Sequence, residues 1–445
     1  MASHEDPPRP LKVLIVGAGI GGLTAALALR RNGHHVRIFE ASQHKTEIGA
    51  GVGVQLGFSK ENLKGTDFDG VRRGAFTAID LTMDWFQTVM FDAEDGVGTS
   101  RPWKIPKEED LDLHVRVHTI GRIRGGGVKS EQDIFCHRSD LHEELRRLAT
   151  NEGEGPPAQL HLGSRVKACD PDAGTINLVD GRPSMRTLLL VPTESTILGH
   201  HVKASASGWT CFRSLFDAAD LNKISDLEWF AEGLHGARSV IWKEDWVPTA
   251  SREDILEKFQ GFNPKFLRIL DLPVASSILK WQLRAMPLLP TWIRGHAALL
   301  GDAAHATLPL LGQGAAMAIE EAGALGSLLP LGTTRDEVPA RLAAYQVLRK
   351  ERGEFVNTES VAQAAIPEKR GLYLRSREMQ ASMKEYDAIK IAQDYLKTRL
   401  NERSFNEYDG IYTTNPDSFA LGKFGTMDQF MEIRDQEVLD LFRSN

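Results

Sequence analysis

A glycine-rich turn near the N-terminus constrains the fold of this chain more than any other feature. A short β-branched run, Lys12–Val16, leads into the turn as a fully buried parallel strand does, and an alanine- and leucine-rich helical segment, Leu23–Arg31, follows it. The helical segment stops at Asn32 and Gly33, and a second strand is predicted over His35–Glu40. The N-terminus is therefore predicted to be a β-α-β unit of the doubly wound α/β type.

The turn has the spacing of a dinucleotide-binding fingerprint. Gly17, Gly19 and Gly22 occupy its first, third and sixth places, where backbone amides and the helix dipole can hold a pyrophosphate. Glu40 closes the second strand, where a carboxylate can accept hydrogen bonds from a ribose hydroxyl and disfavours a ribose phosphate. The site is predicted to prefer FAD or NAD over NADP. The alternative is a tight structural turn without a ligand.

Composition and charge narrow the classes of partner. The chain has 445 residues, 42% hydrophobic and 25% charged, which is typical of a globular protein of two or three domains. Its formal net charge of −7 provides no basic field for nucleic acid or for a membrane surface, so small-molecule partners are expected. Three widely spaced cysteines suggest neither a disulfide framework nor a metal site. The N-terminal ten residues do not resemble a signal peptide, and no membrane helix is predicted, so we expect a cytoplasmic protein.

A second glycine-rich run lies late in the chain, between a predicted buried strand at 297–300 and an apolar helix at 315–329. It reads Gly301-Asp302-Ala303-Ala304-His305, continues through Pro309 to Gly312-Gln313-Gly314, and enters the helix at Ala315. Residues 301–322 resemble the second FAD motif of the group A flavoprotein monooxygenases, the aromatic hydroxylases related to salicylate and para-hydroxybenzoate hydroxylase.

The resemblance implies roles for this run. Asp302 would bond the ribityl chain of FAD, with a surface Asp that caps a turn as the alternative. Gly312 to Gly314 would open a helix whose amides face the flavin pyrimidine edge, where a helix N-terminus stabilises negative charge. Pro309 and Ala315 complete the candidate contacts. His305 is either a neighbour of the flavin loop or a satisfied structural histidine.

Two further segments resemble the same family. In Phe135-Cys136-His137-Arg138-Ser139, the position of Arg138 implies an arginine that reaches the FAD phosphate and ribityl region, as suits a pyrophosphate. The alternative is a solvated charge at the start of an amphipathic helix. Glu47 to Gly53 resembles the family's loop after the second strand, and Ala50 and Gly51 are its candidate flavin contacts.

The chain departs from the family pattern in its middle. The Ala-Asp-Gly segment expected before Ile197-Leu198-Gly199 is absent, and the run 188–195 stands in its place. Few residues separate 238–240 from 246–248, where the family places several strands of the substrate sheet. In the family the absent segment contributes to binding both FAD and NAD(P)H. Its absence therefore concerns the affinity for FAD and the reduction of the flavin by NAD(P)H.

One strand of the substrate sheet is recognisable, at Trp209-Thr210-Cys211-Phe212-Arg213. By resemblance this strand borders the substrate pocket, and Arg213 is the candidate catalytic residue. A cation there could hold a phenolate or carboxylate and raise the electron density of the ring to be hydroxylated. An arginine paired with an acid on a sheet face is the alternative.

These features define the predicted architecture, an α/β fold in which a discontinuous, Rossmann-like FAD-binding domain of the GR2 type carries an inserted mixed-sheet substrate domain and a C-terminal helical tail. The predicted plan assigns residues 10–75, 131–204 and 286–335 to the FAD-binding domain, 76–130 to a loop excursion on the substrate side, 205–285 to the substrate domain and 336–445 to the helical region.

Two functional hypotheses follow. The first is an FAD-dependent monooxygenase that uses NAD(P)H and O2 to hydroxylate an aromatic, phenolic or polyketide-type substrate, in secondary metabolism or aromatic catabolism, as a monomer or homodimer. The second is a flavoprotein homologue that is catalytically impaired because the middle motif is missing. An oxidase or halogenase on the same scaffold is a weaker reading, since the Trp-x-Trp-x-Ile segment of a halogenase does not occur.

Overall fold

The computed structural model describes residues 9–43, 51–55, 133–179, 188–191, 194–213, 251–258, 278–365, 383 and 386–401. Its strands are β1 Lys12–Val16, β2 His35–Phe39, β3 Gly51–Gln55, β4 Asp133–His137, β5 Gln159–His161, β6 Val166–Asp170, β7 Thr175–Leu178, β8 Leu188–Val191, β9 Ser205–Arg213, β10 Leu279–Ala285, β11 Ile293–Arg294 and β12 Ala297–Leu299. Its α-helices are α1 Ile20–Arg31, α2 Arg138–Thr150, α3 Glu194–Leu198, α4 Arg252–Lys258, α5 Asp302–His305, α6 Gly314–Leu328, α7 Val338–Ala365 and α8 Ala388–Asn401. Short 3-10 turns lie at Pro309–Leu311 and Arg335–Glu337.

The central sheet joins segments from distant parts of the sequence. Within the described residues it has six strands in the order β11-β12-β8-β1-β2-β5, parallel except for the antiparallel pair β11 and β12. In the register, Val13 lies beside Val36 of β2 and Leu188 of β8. Only β8 separates β1 from β12 in the sheet. The two glycine-rich runs, which follow β1 and β12, therefore lie close together at the same edge.

Helices cover the sheet through one continuous apolar core. Val13, Ile15 and Ile38 of the strands are almost fully buried, as are the apolar side chains of α1 and α6. Helix α1 packs on α6, and a Cβ atom added at Gly326 would lie 3.0 Å from the Cβ of Ala28, so the close approach of the two helices depends on this glycine. The helix α8 packs on α6, and α2 packs on α1.

A separate antiparallel strand pair, β9 and β10, lies in the range predicted as the substrate domain, and this pair, whose strands are joined by a long connection, is called the hairpin below. Ser205 pairs with Ala285 at one end and Arg213 with Leu279 at the other. Trp209, in the middle of β9, packs with Leu308 and Leu310 of the second glycine-rich run. The hairpin therefore lies against the segment that leads into α6.

The described elements confirm most of the predictions. Strand β1 has the predicted bounds, α6 agrees to one residue, and the helix expected over 252–259 is α4. The predicted tail helices are α7 and α8. None of the helices in the described ranges is long and apolar enough to cross a membrane. The loop excursion predicted over 76–130 lies outside the described residues.

One segment differs from what its resemblance implied. Glu47 to Gly53 resembles the family's loop after the second strand, but Gly51–Gln55 is strand β3, which pairs antiparallel with β4. The reason is tertiary: β4, about 80 residues further along the chain, supplies the backbone partners that a glycine-rich segment cannot find locally.

Candidate functional site

The candidate site lies at the carboxyl edge of the parallel sheet. Strand β1 ends at the Gly17 turn, β2 ends at Glu40, and β12 ends just before Gly301. Since parallel strands present their carboxyl ends at one edge, the three segments meet there, where open α/β sheets bind their ligands.

The first turn is shaped by glycines with different tasks. Gly17 has a φ of 99°, a conformation that side chains rarely adopt. A Cβ at Gly22 would lie 2.2 Å from the carbonyl oxygen of Gly17, so this glycine permits the tight packing of strand on helix. Gly19 is the N-cap of α1, and a Cβ there would meet nothing within 4 Å. Gly17 and Gly22 thus build the turn, and Gly19 borders open space in front of the helix.

Glu40 also holds the first turn in place. Its Oε2 accepts a hydrogen bond from the Ala18 amide at 2.8 Å, and its Oε1 accepts one from the Ser42 amide at 2.8 Å. Each carboxylate oxygen can accept a second hydrogen bond. The ribose contact of Glu40 stays a prediction, and the structure adds a second role that the sequence did not indicate.

Helix α2 approaches the same turn from the other side. The Nε2 atom of His142 donates a hydrogen bond to the carbonyl of Ala18 at 2.6 Å. Arg138 lies four residues earlier, on the same face of the helix and at its exposed first residue. Gly51 pairs with His137 in the β3-β4 register, next to Arg138, and β3 contacts α6. Arg138 and Gly51 therefore lie beside the glycine turn, whereas Ala50 lies outside the described residues.

The second glycine-rich run is tied to a buried carboxylate. Glu321, on α6, accepts a hydrogen bond from the Gly301 amide at 2.8 Å through Oε2, and one from His305 Nε2 at 2.6 Å through Oε1. His305 and Glu321 are both almost fully buried, whereas Asp302 is exposed at the site. Burial alone would lower the pKa of His305, but the charge and hydrogen bond of Glu321, together with the charge of Asp302, outweigh it, so the net pKa is raised. His305 therefore has a structural contact with Glu321, whereas a contact of His305 with the flavin loop and the FAD contact of the exposed Asp302 stay predictions.

The N-terminus of α6 is open. After the 3-10 turn at Pro309–Leu311, α6 begins at Gly314 with no side-chain cap and no acidic residue in its first turn. A Cβ at Gly312 would meet nothing within 4 Å. Pro309 is exposed and Ala315 is half-buried.

The chemistry of these donors fits FAD. The N-terminal amides of α1 and α6 have no side-chain cap. Each helix is preceded by a glycine that borders open space, Gly19 before α1 and Gly312 before α6. Such amides favour anions such as a pyrophosphate or the pyrimidine edge of a flavin. Arg138, Glu40 and Asp302 add a cation and two acceptors at the positions that the resemblance implies for phosphate and hydroxyl groups.

The substrate-side hairpin is joined to this site at one end. The Met286 amide, just after β10, donates to the carbonyl of Ala306 at 2.8 Å. Arg213 lies at the opposite end of the hairpin, roughly 13 Å along the strand from Trp209 at 3.3 Å per residue. The structure thus connects the hairpin with the second glycine-rich run but places Arg213 away from the junction.

The segment in place of the absent Ala-Asp-Gly motif keeps a structural role. Its first residues form β8, in the middle of the sheet, and α3 follows directly. Glu194 is buried and accepts a hydrogen bond from the Val202 amide at 3.1 Å. The run that stands in place of the absent motif therefore supplies a central strand of the sheet.

Two residues that hold the site, His142 and Glu321, and one buried ion pair behind it were not found from the sequence. His142 and Glu321 bind backbone groups of the two glycine-rich runs, and Glu320 forms a buried ion pair with Arg349 and Arg352 of α7. The available signal was weak: two adjacent acids in an otherwise apolar helix, which favours buried pairing because an unpaired buried carboxylate is costly.

Sequence models of two families match the chain. An NAD(P)-binding Rossmann-like domain matches residues 15–46, and an FAD binding domain matches residues 274–360. The first match includes the glycine fingerprint and Glu40, and the second includes the whole run from Gly301 to Ala315. The structure of CtdE in complex with FAD and substrate 4 superposes with a TM-score of 0.65 at 20% identity, covering 88% of this chain and 100% of that chain. The fold is therefore a discontinuous doubly wound FAD-binding fold, and FAD is its cofactor.

Sequence relatives identify the family within this class. Hispidin-3-hydroxylase from Neonothopanus nambi is 37% identical over 459 residues, covering 90% of this chain and 99% of that enzyme. The FAD-dependent monooxygenase cfoG from Aspergillus candidus is 30% identical, covering 78% and 83%. The chain belongs to the FAD-dependent monooxygenases. Because the first alignment runs over 459 residues and this chain has 445, that relative carries residues that this chain lacks.

Proposed function

We propose that this enzyme hydroxylates an electron-rich aromatic, phenolic or polyketide-type substrate with NAD(P)H and O2. One oxygen atom enters a ring C–H bond and the other leaves as water, with two electrons from NAD(P)H and one proton balancing the reaction. FAD supplies the electron transfer and O2 activation when it is bound. The observation that carries the proposal is the junction between Met286 and Ala306, which places the substrate hairpin and the flavin-side segment in contact.

The chain's own groups have three tasks in this reaction. The amides of α1 and the guanidinium of Arg138 bind phosphate charge, and Asp302 and Glu40 accept hydrogen bonds from hydroxyl groups. The amides at the start of α6 stabilise negative charge at the flavin edge. The apolar cluster of Trp209, Leu308 and Leu310 excludes water from the junction of the hairpin with the site.

Arg213 is proposed to bind the anionic form of the substrate. Its position on β9, beyond Trp209, separates it from the flavin-side segment by more than a side-chain length. It would then hold the far end of the substrate, such as a phenolate or carboxylate, while the reacting carbon lies nearer the junction. The proposed partners are small molecules, the proposed assembly is a monomer or homodimer, and the proposed location is the cytoplasm.

The test is an assay of the purified enzyme with a panel of phenols and phenolic polyketides. NADH and NADPH consumption, O2 uptake and hydroxylated product are measured together, with each phenol's methyl ether as the matched control. Product formed from phenols at a rate that matches NAD(P)H consumption supports the proposal. Bound FAD with no substrate-stimulated NAD(P)H consumption across the panel would instead support an impaired homologue, which the absent Ala-Asp-Gly motif favours.

A further inference from the structure

We propose that Glu321 is a positioning residue for the cofactor: by holding both ends of α5, it presents Asp302 to FAD. The inference rests on the proposed FAD contact of Asp302 and extends it to a residue that lies behind the site. Glu321 touches neither the candidate flavin contacts nor solvent, and it would act only through the short segment that carries Asp302.

The geometry around Glu321 supports this role. Its two carboxylate oxygens bind two different points of one short segment, the amide of Gly301 and the ring of His305. These points lie immediately before and three residues after Asp302, the first residue of α5. A four-residue helix has little stability of its own, so its orientation depends on such external contacts.

The surroundings of the segment leave it few other positions. Gly301 has a φ of 61°, and a Cβ there would lie 3.3 Å from the Cβ of Ala318. The ring of His305 packs against Trp292, with 5.4 Å between centroids. Gly353 closes the other side, because a Cβ there would lie 3.4 Å from His305 Cδ2 and 2.4 Å from Trp292. A polar bond in this dry interior is strong when satisfied and costly when broken.

The neighbouring residue, Glu320, provides a natural comparison. It is also a buried carboxylate on α6, but its oxygens bind Arg349 at 2.6 Å and Arg352 at 2.8 and 2.9 Å. Glu320 therefore joins α6 to α7, whereas Glu321 joins α6 to the Asp302 segment. Loss of charge at the two positions should affect two different properties of the protein.

A double-mutant cycle on FAD affinity tests the inference. The Kd of the deflavinated full-length chain for FAD is measured by flavin fluorescence for wild type, Glu321→Gln, Asp302→Ala and the double variant. If Glu321 acts through Asp302, Glu321→Gln raises the Kd about tenfold in the wild-type background and less than about twofold in the Asp302→Ala background. Equal increases in both backgrounds would overturn the inference.

The matched control is Glu320→Gln, measured for the same Kd and for thermal unfolding of the flavin-free chain. It should lower the unfolding temperature while leaving the Kd within about twofold of wild type. A Kd increase as large as that of Glu321→Gln would show that any buried charge on α6 matters, and would contradict the inference.

Two further measurements keep the test decisive. If Glu321→Gln does not fold, His305→Ala takes its place in the cycle, since alanine has no donor and so removes one of the two contacts, and the same non-additivity with Asp302→Ala is expected. An unchanged Kd in Asp302→Ala alone would refute the proposed FAD contact and this inference together. If Asp302→Ala raises the Kd for FAD but its effect and that of Glu321→Gln are additive, only the inference is refuted.

Discussion

At the scale of single residues, Glu40 shows how one carboxylate serves both fold and ligand. It accepts the amides of Ala18 and Ser42, and it is the predicted acceptor for a ribose hydroxyl. A glutamine has only one acceptor oxygen at its side-chain terminus, so it can satisfy only one of these two amides.

Glu40→Gln should therefore weaken FAD binding without unfolding the chain. A lost charge-assisted hydrogen bond is worth about 1.5–3 kcal/mol, which corresponds to an increase in Kd of about tenfold or more. Titration of the deflavinated chain with FAD measures it, with Glu143→Gln, an exposed partner of Arg146 on α2, as the control. An unchanged Kd for Glu40→Gln would remove Glu40 from the cofactor site.

Arg213 belongs to the same scale, and its role is separable from the cofactor. Arg213→Ala should slow hydroxylation by about a hundredfold, because a substrate anchor in a partly buried site contributes a few kcal/mol. FAD content should stay that of wild type, since the candidate FAD contacts lie on other segments. Arg213→Lys, which keeps the charge, should fall between. Full activity in Arg213→Ala would make the arginine structural, and loss of flavin would place it in the cofactor site.

At the scale of elements, the start of α1 separates folding from binding. Gly22 has a carbonyl oxygen where a Cβ would stand, whereas Gly19 has open space and backbone angles that alanine can adopt. An added methyl group would therefore contact the protein backbone at Gly22, whereas at Gly19 it would lie in the open space predicted for the ligand.

Gly22→Ala should lower the stability of the flavin-free chain by roughly 1–3 kcal/mol through overpacking. Gly19→Ala should change that stability by less than about 1 kcal/mol, yet raise the Kd for FAD at least about tenfold, since its methyl group occupies the approach of the pyrophosphate. Urea unfolding and FAD titration on both variants decide it. Tight FAD binding by Gly19→Ala would show that the pyrophosphate does not approach this turn.

The ion pair between α6 and α7 gives a pH-dependent contribution to stability. Burial alone would raise the pKa of Glu320, but the guanidinium groups of Arg352 and Arg349 outweigh it and lower the pKa below its ordinary value of 4.5. Because the folded-state pKa is depressed, the stabilisation is present above the pKa of the unfolded chain and is lost as pH falls through the folded-state pKa.

Glu320→Gln should lower the free energy of unfolding by about 3 kcal/mol near neutral pH, since it leaves buried arginines unpaired. The difference from wild type should shrink as the pH falls below about 4.5. Urea unfolding at a series of pH values measures it. Glu354→Gln, in the more exposed pair with Lys350, should cost less than about 1 kcal/mol. A pH-independent difference for Glu320→Gln would mean that the pair does not titrate as described.

At the scale of the whole molecule, the cofactor site joins segments that lie far apart in sequence. The FAD site is predicted to use the first turn, β3, α2 and the run before α6, so a bound ligand would link parts of the chain separated by nearly 300 residues. Ligand bound only to the folded state stabilises it by mass action.

The purified protein should therefore carry FAD, release it on acid denaturation, and unfold at a higher temperature with FAD than without it. At a free FAD concentration of 100 times the Kd, the stabilisation is about 2.7 kcal/mol. Flavin absorbance in the supernatant after acid precipitation and thermal scans over a range of FAD concentrations check this. Flavin that remained on the precipitated protein would indicate a covalent link, and an unfolding temperature unaffected by FAD would contradict the site.

Features with local causes could be predicted from the amino-acid sequence alone. The β-branched run of β1, the glycine spacing at 17, 19 and 22, and the apolar period of α6 each depend on neighbours within one or two turns of chain. These features predicted the doubly wound fold and a site for FAD or NAD, whereas the FAD class and the candidates Asp302 and Arg138 came from the resemblance of residues 301–322 and 135–139 to a known family.

Features that depend on residues distant in sequence became visible in the three-dimensional fold. Strand β3 forms because β4 supplies its hydrogen bonds, and β8 lies between β1 and β12 although its sequence lost the family motif. Glu321 accepts hydrogen bonds from Gly301 and His305 because the fold places α6 next to them. A buried polar group must find its partner in three dimensions, and no local pattern specifies which partner that will be.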